Sequence, residues 1–212
     1  MTLYDELKGE ARRTKQASVA LAKLSSEIKN KALHVMADRL EDESSFLSEE
    51  NEKDLERGKE KGLSQPLLER LMLTPKRIDA MAVGLRDVAA LPDPVGEILK
   101  MTRLPNRLQV GQMRVPIGVI GIIYESRPNV TADVAGLCIK SGNSVILRGG
   151  SEAIYSNTAI ASVLEDAAKS AGLPPNVVTL IKTTDRLAIY ELLKLEESID
   201  LIIPRGGEGL IR

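Results

Sequence analysis

Two Arg-Gly-Gly turns in the chain combine the groups that bind phosphate in proteins. The first follows an apolar run at 144–148 and consists of Arg148, Gly149, Gly150, Ser151 and Glu152. The second follows an apolar run at 200–204 and consists of Arg205, Gly206, Gly207 and Glu208. A helix that begins after such a turn offers free backbone N–H groups and a positive dipole end, and the arginine adds a guanidinium. We therefore predict that both turns bind an anionic group, with phosphate favoured.

The familiar phosphate fingerprints do not fit these turns. Neither turn continues into Gly-Lys-Ser/Thr, so a Walker loop is excluded. The dinucleotide fingerprint G-x-G-x-x-G is also absent, because Gly118 and Gly121 stand at the wrong spacing. A tight turn with a solvated arginine is the alternative for either turn alone. Two such turns after two parallel strands favour binding, because ligands of open parallel sheets lie beyond the carboxyl ends of the strands.

A third polar segment follows the apolar run VIGIIY at 119–124. It contains Glu125, Ser126, Arg127 and Asn129. Because it also follows a predicted strand, we expect it at the same edge of the sheet as the two turns.

The single cysteine and the single histidine do not suggest a catalytic centre. Cys138 stands among apolar residues of a predicted helix, where a cysteine is usually part of the core. His34 lies in the helical N-terminal part, far from any strand end, so we expect it to be structural or exposed. One cysteine excludes an internal disulfide and a cysteine zinc cluster, and we expect no metal site.

Composition excludes several classes of partner. The net charge is −1, the pI is near 6.0 and aromatic residues make up 2% of the chain. These values give no basic field and few stacking platforms, so we expect no nucleic-acid partner. No apolar run is long enough for a membrane span and the first residues carry no signal-peptide core, so we expect no membrane partner and a cytoplasmic location.

Helical patterns dominate residues 3 to about 91. Apolar residues recur at three- and four-residue spacing in one stretch, which predicts an amphipathic helix with one buried stripe: Val19, Leu21, Leu24, Ile28, Leu33, Met36 and Leu40. The charge-rich segment 41–62 predicts a solvated helix that ends near Gly58 to Gly62.

Residues 96–115 predict a β-hairpin arm. Leu108 and Val110 alternate with polar neighbours, and the alternation resumes after Gly111, which suggests a bulge or bend there. An arm that buries one face needs a neighbouring surface, and we expect that surface to belong to another copy of the chain.

From Val115 onward, apolar runs alternate with helical segments. The runs at 119–124, 144–148, 177–181 and 200–204 lack strand alternation, so both faces of each predicted strand are buried. Helices are predicted near 130–141, 152–171 and 184–197. The predicted fold class is therefore α/β, with N-terminal helices, a hairpin arm and a partial, mostly parallel sheet with right-handed crossovers.

The stretch VPIGVIGIIYESRPNVTADVAGLCIKSGNSVILRGGSEAIYSN at 115–157 closely resembles the gamma-glutamyl phosphate reductase family, the proline-biosynthesis branch of the aldehyde dehydrogenase superfamily. YESRPNVT and LRGGSEA separate it from ordinary aldehyde dehydrogenases. The resemblance implies NADPH-dependent reduction of L-glutamate 5-phosphate to glutamate 5-semialdehyde in a homo-oligomer. It also implies a Rossmann-like sheet that lacks the usual glycine fingerprint.

The resemblance carries roles to individual residues. Arg148 matches a lysine that holds the adenosine ribose, and an arginine there suits the 2′-phosphate of NADPH; residues 149–152 continue that wall. Gly206, Gly207 and Glu208 match the turn beside the pyrophosphate. Asn129 matches the asparagine that stabilises the oxyanion. Arg127 and Ser126 are our own candidates for the glutamyl phosphate.

The resemblance also implies a division of the chain into three parts. Residues 1–95 form the helical part of the dinucleotide-binding domain, 96–115 the oligomerisation arm, and 116–212 the NADP(H)-binding sheet, which ends before the catalytic domain. The cysteine nucleophile of the superfamily lies beyond the matched residues, so this chain alone is expected to be inactive. A non-catalytic NADP(H)-binding or subunit-association module is one alternative, and a CoA-acylating aldehyde dehydrogenase is another.

Overall fold

Residues 2–207, which the computed structural model describes, form eight α-helices, one 3₁₀ turn and six strands. The helices are α1 (Leu3–Leu21), α2 (Ser26–Asp42), α3 (Ser44–Glu60), α4 (Gln65–Leu71), α5 (Pro75–Ala90), α6 (Asn129–Lys140), α7 (Ile154–Ser170) and α8 (Leu187–Leu193). The strands are β1 (Ile98–Arg103), β2 (Gln109–Met113), β3 (Val119–Tyr124), β4 (Ser144–Arg148), β5 (Val178–Leu180) and β6 (Leu201–Arg205). The 3₁₀ turn covers Ser151–Ala153.

Four strands form a parallel sheet in the order β5–β4–β3–β6. The chain moves outward from β3 through β4 to β5 and then returns to the other side of β3. Ile123 is paired with Arg148 on β4 and with Pro204 on β6, so three strands end at the same level. The reversal of strand order between β3 and β6 is a topological switch point, where ligands of open α/β sheets bind.

Apolar layers cover both faces of β3 and β4. Ile120, Ile122 and Val145 point into the larger core, which α2, α5, α6 and α7 complete. Val119 and Ile146 point to the opposite face, where α1 and α8 cover them. This two-sided burial explains why the runs of β3 and β4 lack alternation, and the α/β fold class is confirmed.

The prediction that both faces of β6 are buried was wrong. This strand lies at the edge of the sheet and is largely exposed, because the described helices cover β3 and β4 rather than β6.

The N-terminal apolar pattern spans two helices rather than one. The first ends at Leu21, and Ser25 caps the second by accepting a hydrogen bond from the N–H of Ile28 at 3.4 Å. The prediction of one buried stripe was wrong at Val19, which is 55% exposed. A serine cap outweighs the continuous apolar spacing because it satisfies a free N–H at the start of the new helix.

The charge-rich segment forms α3, and one of its faces is buried rather than solvated. Asn51 and Asp54 are 2% and 0% exposed. The Asp54 carboxylate accepts hydrogen bonds from the N–H of Tyr155 and from the N–H and hydroxyl of Ser156. It therefore satisfies free donors at the start of α7, a role that charge content alone did not reveal.

Strands β1 and β2 pair antiparallel as a hairpin with every side chain exposed. The bulge predicted at Gly111 was wrong, since the irregularity lies between Ile98 and Lys100. The glycine leaves room for the exposed side chain of Met101 on the paired strand, whose sulfur would lie 2.4 Å from a Cβ at Gly111.

Within residues 2–207, no helix has both the length and the apolar character to cross a bilayer.

Candidate functional site

A cavity of about 390 Å³ lies at the switch point between β3 and β6. Its lining comes from the segments after both strands and from α4: Leu67, Arg70, Glu125, Ser126, Arg127, Arg205, Gly206 and Gly207. We call it the switch-point cavity. The parallel pairing of Tyr124 with Arg205 brings these segments together.

A second cavity, of about 490 Å³, lies between α4, α5 and the start of α6. Asn129 and Arg127 line it together with Arg70, Arg77 and Asp133. We call it the Asn129 cavity. It shares Arg70 and Arg127 with the switch-point cavity, so the two adjoin at these side chains.

A third cavity, of about 210 Å³, contains Ser126, Ser151 and Glu152 and is closed by residues of α3 and α4. Ser126 also lines the switch-point cavity. Its hydroxyl donates to a carboxylate oxygen of Glu152 at 2.7 Å. The end of β3 and the turn after β4 are therefore linked directly.

Asn129 begins α6 and presents its side-chain amide at the cavity wall. One N–H of the amide donates to Asp133 at 3.0 Å, one helical turn later. Desolvation raises the pKa of Asp133, while the Asn129 hydrogen bond and Arg205 oppose the increase. The second N–H of the Asn129 amide remains able to donate to a substrate oxygen.

Arg148 ends β4 and is 7% exposed. Its guanidinium donates to the carbonyls of Gly149 at 3.1 Å and Thr184 at 3.2 Å, while its Nε is buried without a partner. Burial lowers the pKa of Arg148. The side chain thus joins the end of β4 to the loop before α8 and keeps one unused donor.

Close packing favours glycine at position 149, whereas the contact at Gly150 is with the flexible end of a side chain. A Cβ on Gly149 would lie 2.2 Å from the amide nitrogen of Asn157, and one on Gly150 would lie 2.2 Å from a carboxylate oxygen of Glu152. At the other turn, the N–H of Gly207 donates to Glu125 at 3.1 Å. Each turn therefore has a carboxylate beside it as well as backbone donors.

The structure brings most of the predicted site residues to one edge of the sheet. Ser126, Arg127, Asn129, Ser151, Glu152, Gly206 and Gly207 line the three adjoining cavities. Arg148, Gly149 and Gly150 are buried and line none of these three cavities. Glu208 falls outside the described residues. The binding roles assigned to all these residues remain predictions.

Sequence reasoning missed the contribution of α4 to the site. Arg70 lines two cavities and Leu67 lines two, yet both belong to a short helix remote in sequence from the strand ends. The segment LSQPLLERL signals a helix start through Pro66, but it carries no signal for where that helix packs.

Cys138 and His34 lie where the sequence analysis expected them. Cys138 on α6 is 5% exposed in the larger core, and burial raises the pKa of its thiol to about 12. His34 is exposed on α2. Between residues 2 and 207, no group of three or more His, Cys, Asp or Glu side chains could hold a metal ion.

The fold and the site define a class of protein. The sequence profile of the aldehyde dehydrogenase family matches residues 9–209, and the chain belongs to this family.

Individual relatives show which branch of this family the chain resembles. The chain is 55% identical over its whole length to gamma-glutamyl phosphate reductase from Geotalea daltonii and covers 51% of it. The crystal structure of gamma-glutamyl phosphate reductase from Thermotoga maritima has a TM-score of 0.95 and 42% identity, over 97% of this chain and 50% of that one. The enzyme from Saccharomyces cerevisiae has a TM-score of 0.90 and 34% identity, over 100% of this chain and 53% of that one. The chain thus spans about half the length of these relatives.

The family implies a nicotinamide dinucleotide, and the strand-end residues fit such a group. The buried, unpartnered Nε of Arg148 is a spare donor for a phosphate oxygen. The Glu152 carboxylate, half-buried beside it, can accept ribose hydroxyls. The exposed turn at Gly206 and Gly207 leaves room for a diphosphate near the ends of β3 and β6.

Chemical labelling of Cys138 tests whether this chain contains a reactive cysteine. With a pKa of about 12, roughly one thiol in ten thousand is ionised at pH 8. We expect labelling by a disulfide reagent at pH 8 to be at least about 100-fold slower in the folded chain than in guanidinium chloride, because only the exposed thiolate reacts. The absorbance of the thiolate that the reagent releases measures the labelling rate.

Cys138→Ala is the matched control, since it removes the only cysteine and should give no signal in either state. Labelling of the folded chain as fast as that of the unfolded chain would contradict the assignment of Cys138 to the core.

Proposed function

We propose that this chain supplies the dinucleotide-binding part of an enzyme that reduces L-glutamate 5-phosphate to glutamate 5-semialdehyde and releases phosphate, a step of proline biosynthesis. One observation carries the proposal: Asn129 and Arg127, our candidates for the oxyanion donor and the phosphate ligand, line one cavity beside the switch point. The 55% identity to a relative named gamma-glutamyl phosphate reductase supports the same reaction.

Asn129 would stabilise the negative charge that develops on the reacting carbonyl oxygen. Its amide donates one N–H to Asp133, which restrains the side chain and leaves the second N–H as a donor for that oxygen. The cysteine proposed to form the thioester would lie in the part of the relatives that this chain does not cover. Cys138 does not replace it because the thiol is buried among apolar side chains.

NADPH is the proposed cofactor. It supplies hydride when bound. Arg148 would donate to the 2′-phosphate, and Gly149, Gly150, Ser151 and Glu152 would form the wall along the ribose. Gly206, Gly207 and Glu208 would lie beside the pyrophosphate. The buried donor on Arg148 and the half-buried carboxylate of Glu152 support this arrangement.

The remaining proposals concern the domains of the chain, the assembly of its copies and its location in the cell. Residues 1–95 and 116–212 would form one dinucleotide-binding unit, and 96–115 the arm that joins copies in a homo-oligomer. The arm exposes Met101 and Val110 by 57% and 49%, and an isolated two-stranded ribbon is marginal in water, so it needs a covering surface. A biosynthetic role and a single free cysteine favour the cytoplasm.

Two alternatives remain. A non-catalytic NADP(H)-binding or association module would keep the cofactor site without chemistry. A CoA-acylating aldehyde dehydrogenase would use coenzyme A in place of phosphate as the acyl acceptor.

A fused enzyme tests the proposed reaction. Joining this chain to the part of the Geotalea daltonii relative that it does not cover should give an enzyme that reduces NADP⁺ with glutamate 5-semialdehyde and phosphate. In that enzyme, Asn129→Ala should lower kcat by about 100- to 1,000-fold, because an oxyanion donor is lost. Its KM for NADP⁺ should stay within about twofold of the parent value. Steady-state NADPH absorbance gives both constants.

Asp133→Ala is the companion variant, since it frees the Asn129 amide without removing it, and a smaller loss of kcat is expected. An Asn129→Ala enzyme with unchanged kcat, or a fused enzyme with no reductase activity, would contradict the proposal.

Arg148 tests the cofactor preference. The 212-residue chain should bind NADPH more tightly than NADH. Arg148→Gln should raise the Kd for NADPH at least about tenfold, because a charge-assisted hydrogen bond to the 2′-phosphate is lost, and should leave the Kd for NADH nearly unchanged. Nucleotide fluorescence measures both constants.

Lys23→Gln removes the same charge from an exposed loop position that lines none of the three cavities, so neither constant should change. An equal loss of affinity for both nucleotides in Arg148→Gln would show that Arg148 only supports the local fold.

A further inference from the structure

Arg70 and Arg127 each line both of the larger cavities. Arg70 belongs to α4 and Arg127 to the loop after β3, and both residues are exposed. In residues 2–207, the arginine side chains that form hydrogen bonds or ion pairs are those of Arg39, Arg77, Arg86, Arg114 and Arg148. The guanidiniums of Arg70 and Arg127, called here the arginine pair, are therefore uncommitted in the described part of the chain.

The position of Arg70 is fixed by contacts around the end of α4. Asn51, buried on α3, donates to the carbonyl of Leu71 at 2.8 Å and accepts from the N–H of Leu73 at 2.7 Å. Arg77 on α5 donates to the carbonyls of Glu69 and Met72, at 2.6 Å and 2.5 Å. These bonds hold the seven-residue helix against α3 and α5. The backbone of Arg70 is therefore fixed at the cavity wall, because it cannot shift without breaking them.

The arginine pair borders the predicted point of reaction. Asn129 lines the same cavity as both arginines, and the switch-point cavity that they also share reaches Gly206 and Gly207. The pair thus lies between the oxyanion donor and the segments proposed to hold the dinucleotide. An acyl phosphate that reacts beside Asn129 carries its phosphorus two bonds from the carbonyl carbon, through the bridging oxygen, so this group lies close to the arginines.

Arginines outnumber carboxylates in the lining of both larger cavities. Glu69 and Asp133 line the Asn129 cavity against three arginines, and Glu125 lines the switch-point cavity against three. Glu125 accepts the N–H of Gly207, which occupies part of its hydrogen-bonding capacity. Two planar guanidiniums, each able to donate two hydrogen bonds, suit the charge and geometry of a dianionic phosphate.

We propose that Arg70 and Arg127 together bind the phosphate group of the substrate, and inorganic phosphate in the reverse direction, with Arg70 the specificity-determining residue supplied by α4. The proposal rests on the proposed function for the identity of the substrate. Phosphate binding itself depends only on the arginine pair, so the two can fail separately.

Inorganic phosphate is the probe for the first test, with phosphorus NMR titration of the 212-residue chain. Arg70→Gln and Arg127→Gln should each raise the Kd for phosphate at least about tenfold, because each removes a charge-assisted hydrogen bond. Arg70 is exposed and makes no side-chain bond among residues 2–207, so its variant should unfold at the parent temperature, which circular dichroism checks.

Lys76→Gln is the matched control, because Lys76 is an exposed cation of the first turn of α5 and lines none of the three cavities. Its Kd for phosphate should equal that of the parent chain. A parent chain that does not bind phosphate, or an Arg70→Gln chain that binds it within twofold of the parent, would overturn the proposal, as would an equal loss in Lys76→Gln.

Kinetics of the fused enzyme separate binding from a structural role. Arg70→Gln should raise the KM for phosphate at least about tenfold with the KM for NADP⁺ unchanged, and Arg70→Lys should recover part of the loss. A rise in both constants would assign Arg70 a structural role and overturn the proposal.

The two hypotheses give distinguishable failures. If Arg70→Gln loses phosphate binding while the fused enzyme is inactive, phosphate binding by the arginine pair is supported and the proposed function is contradicted. If the fused enzyme is active and Arg70→Gln leaves its KM for phosphate unchanged, the proposed function is supported and phosphate binding by the arginine pair is contradicted.

Discussion

The parallel hydrogen bonding of β3 to both of its neighbours is the constraint on which the site depends. Ile123 is in register with Arg148 on one side and Pro204 on the other, so the segments after three strands leave the sheet at one level. The reversal of strand order at β3 separates two of these segments and opens the switch-point cavity. Burial of both faces of β3 prevents it from slipping in register, because a slip of one residue would exchange the two cores.

Helices from the N-terminal part close the site through buried polar contacts. Asn51 holds the end of α4, and Asp54 holds the start of α7, both from one face of α3. Burial raises the pKa of Asp54 despite the hydrogen bonds from Ser156 and Tyr155, which shows how fully α3 withdraws the carboxylate from water. These contacts tie the walls of all three cavities to one helix.

The sequence predicts the sheet well because its strands carry a direct physical signal. VIGIIY and SVILR lack alternation since both faces are buried, and their observed bounds match the predicted 119–124 and 144–148. The strand order has no such signal, because β4 and β6 are equally apolar and either could adjoin any strand. The residues at the strand ends could therefore be identified, while the switch point between β3 and β6 could not.

The contribution of α4 illustrates the same limit at the level of single residues. Arg70 is one of many charged residues in a helical segment, and only packing against Asn51 and Arg77 brings it to the cavity wall. Its cavity partner Arg127 was found from the sequence because it directly follows a strand. Local signals reveal residues on the sheet edge, whereas residues delivered by tertiary packing need the structure.

The most direct test of the central claim is the acyl-acceptor requirement of the fused enzyme. NADP⁺ reduction by glutamate 5-semialdehyde is measured with phosphate, with coenzyme A, or with neither. Turnover should require phosphate, because the cavities at the switch point offer arginines for a dianion beside Asn129. Turnover that needs coenzyme A, or that proceeds equally well with neither acceptor, would contradict it.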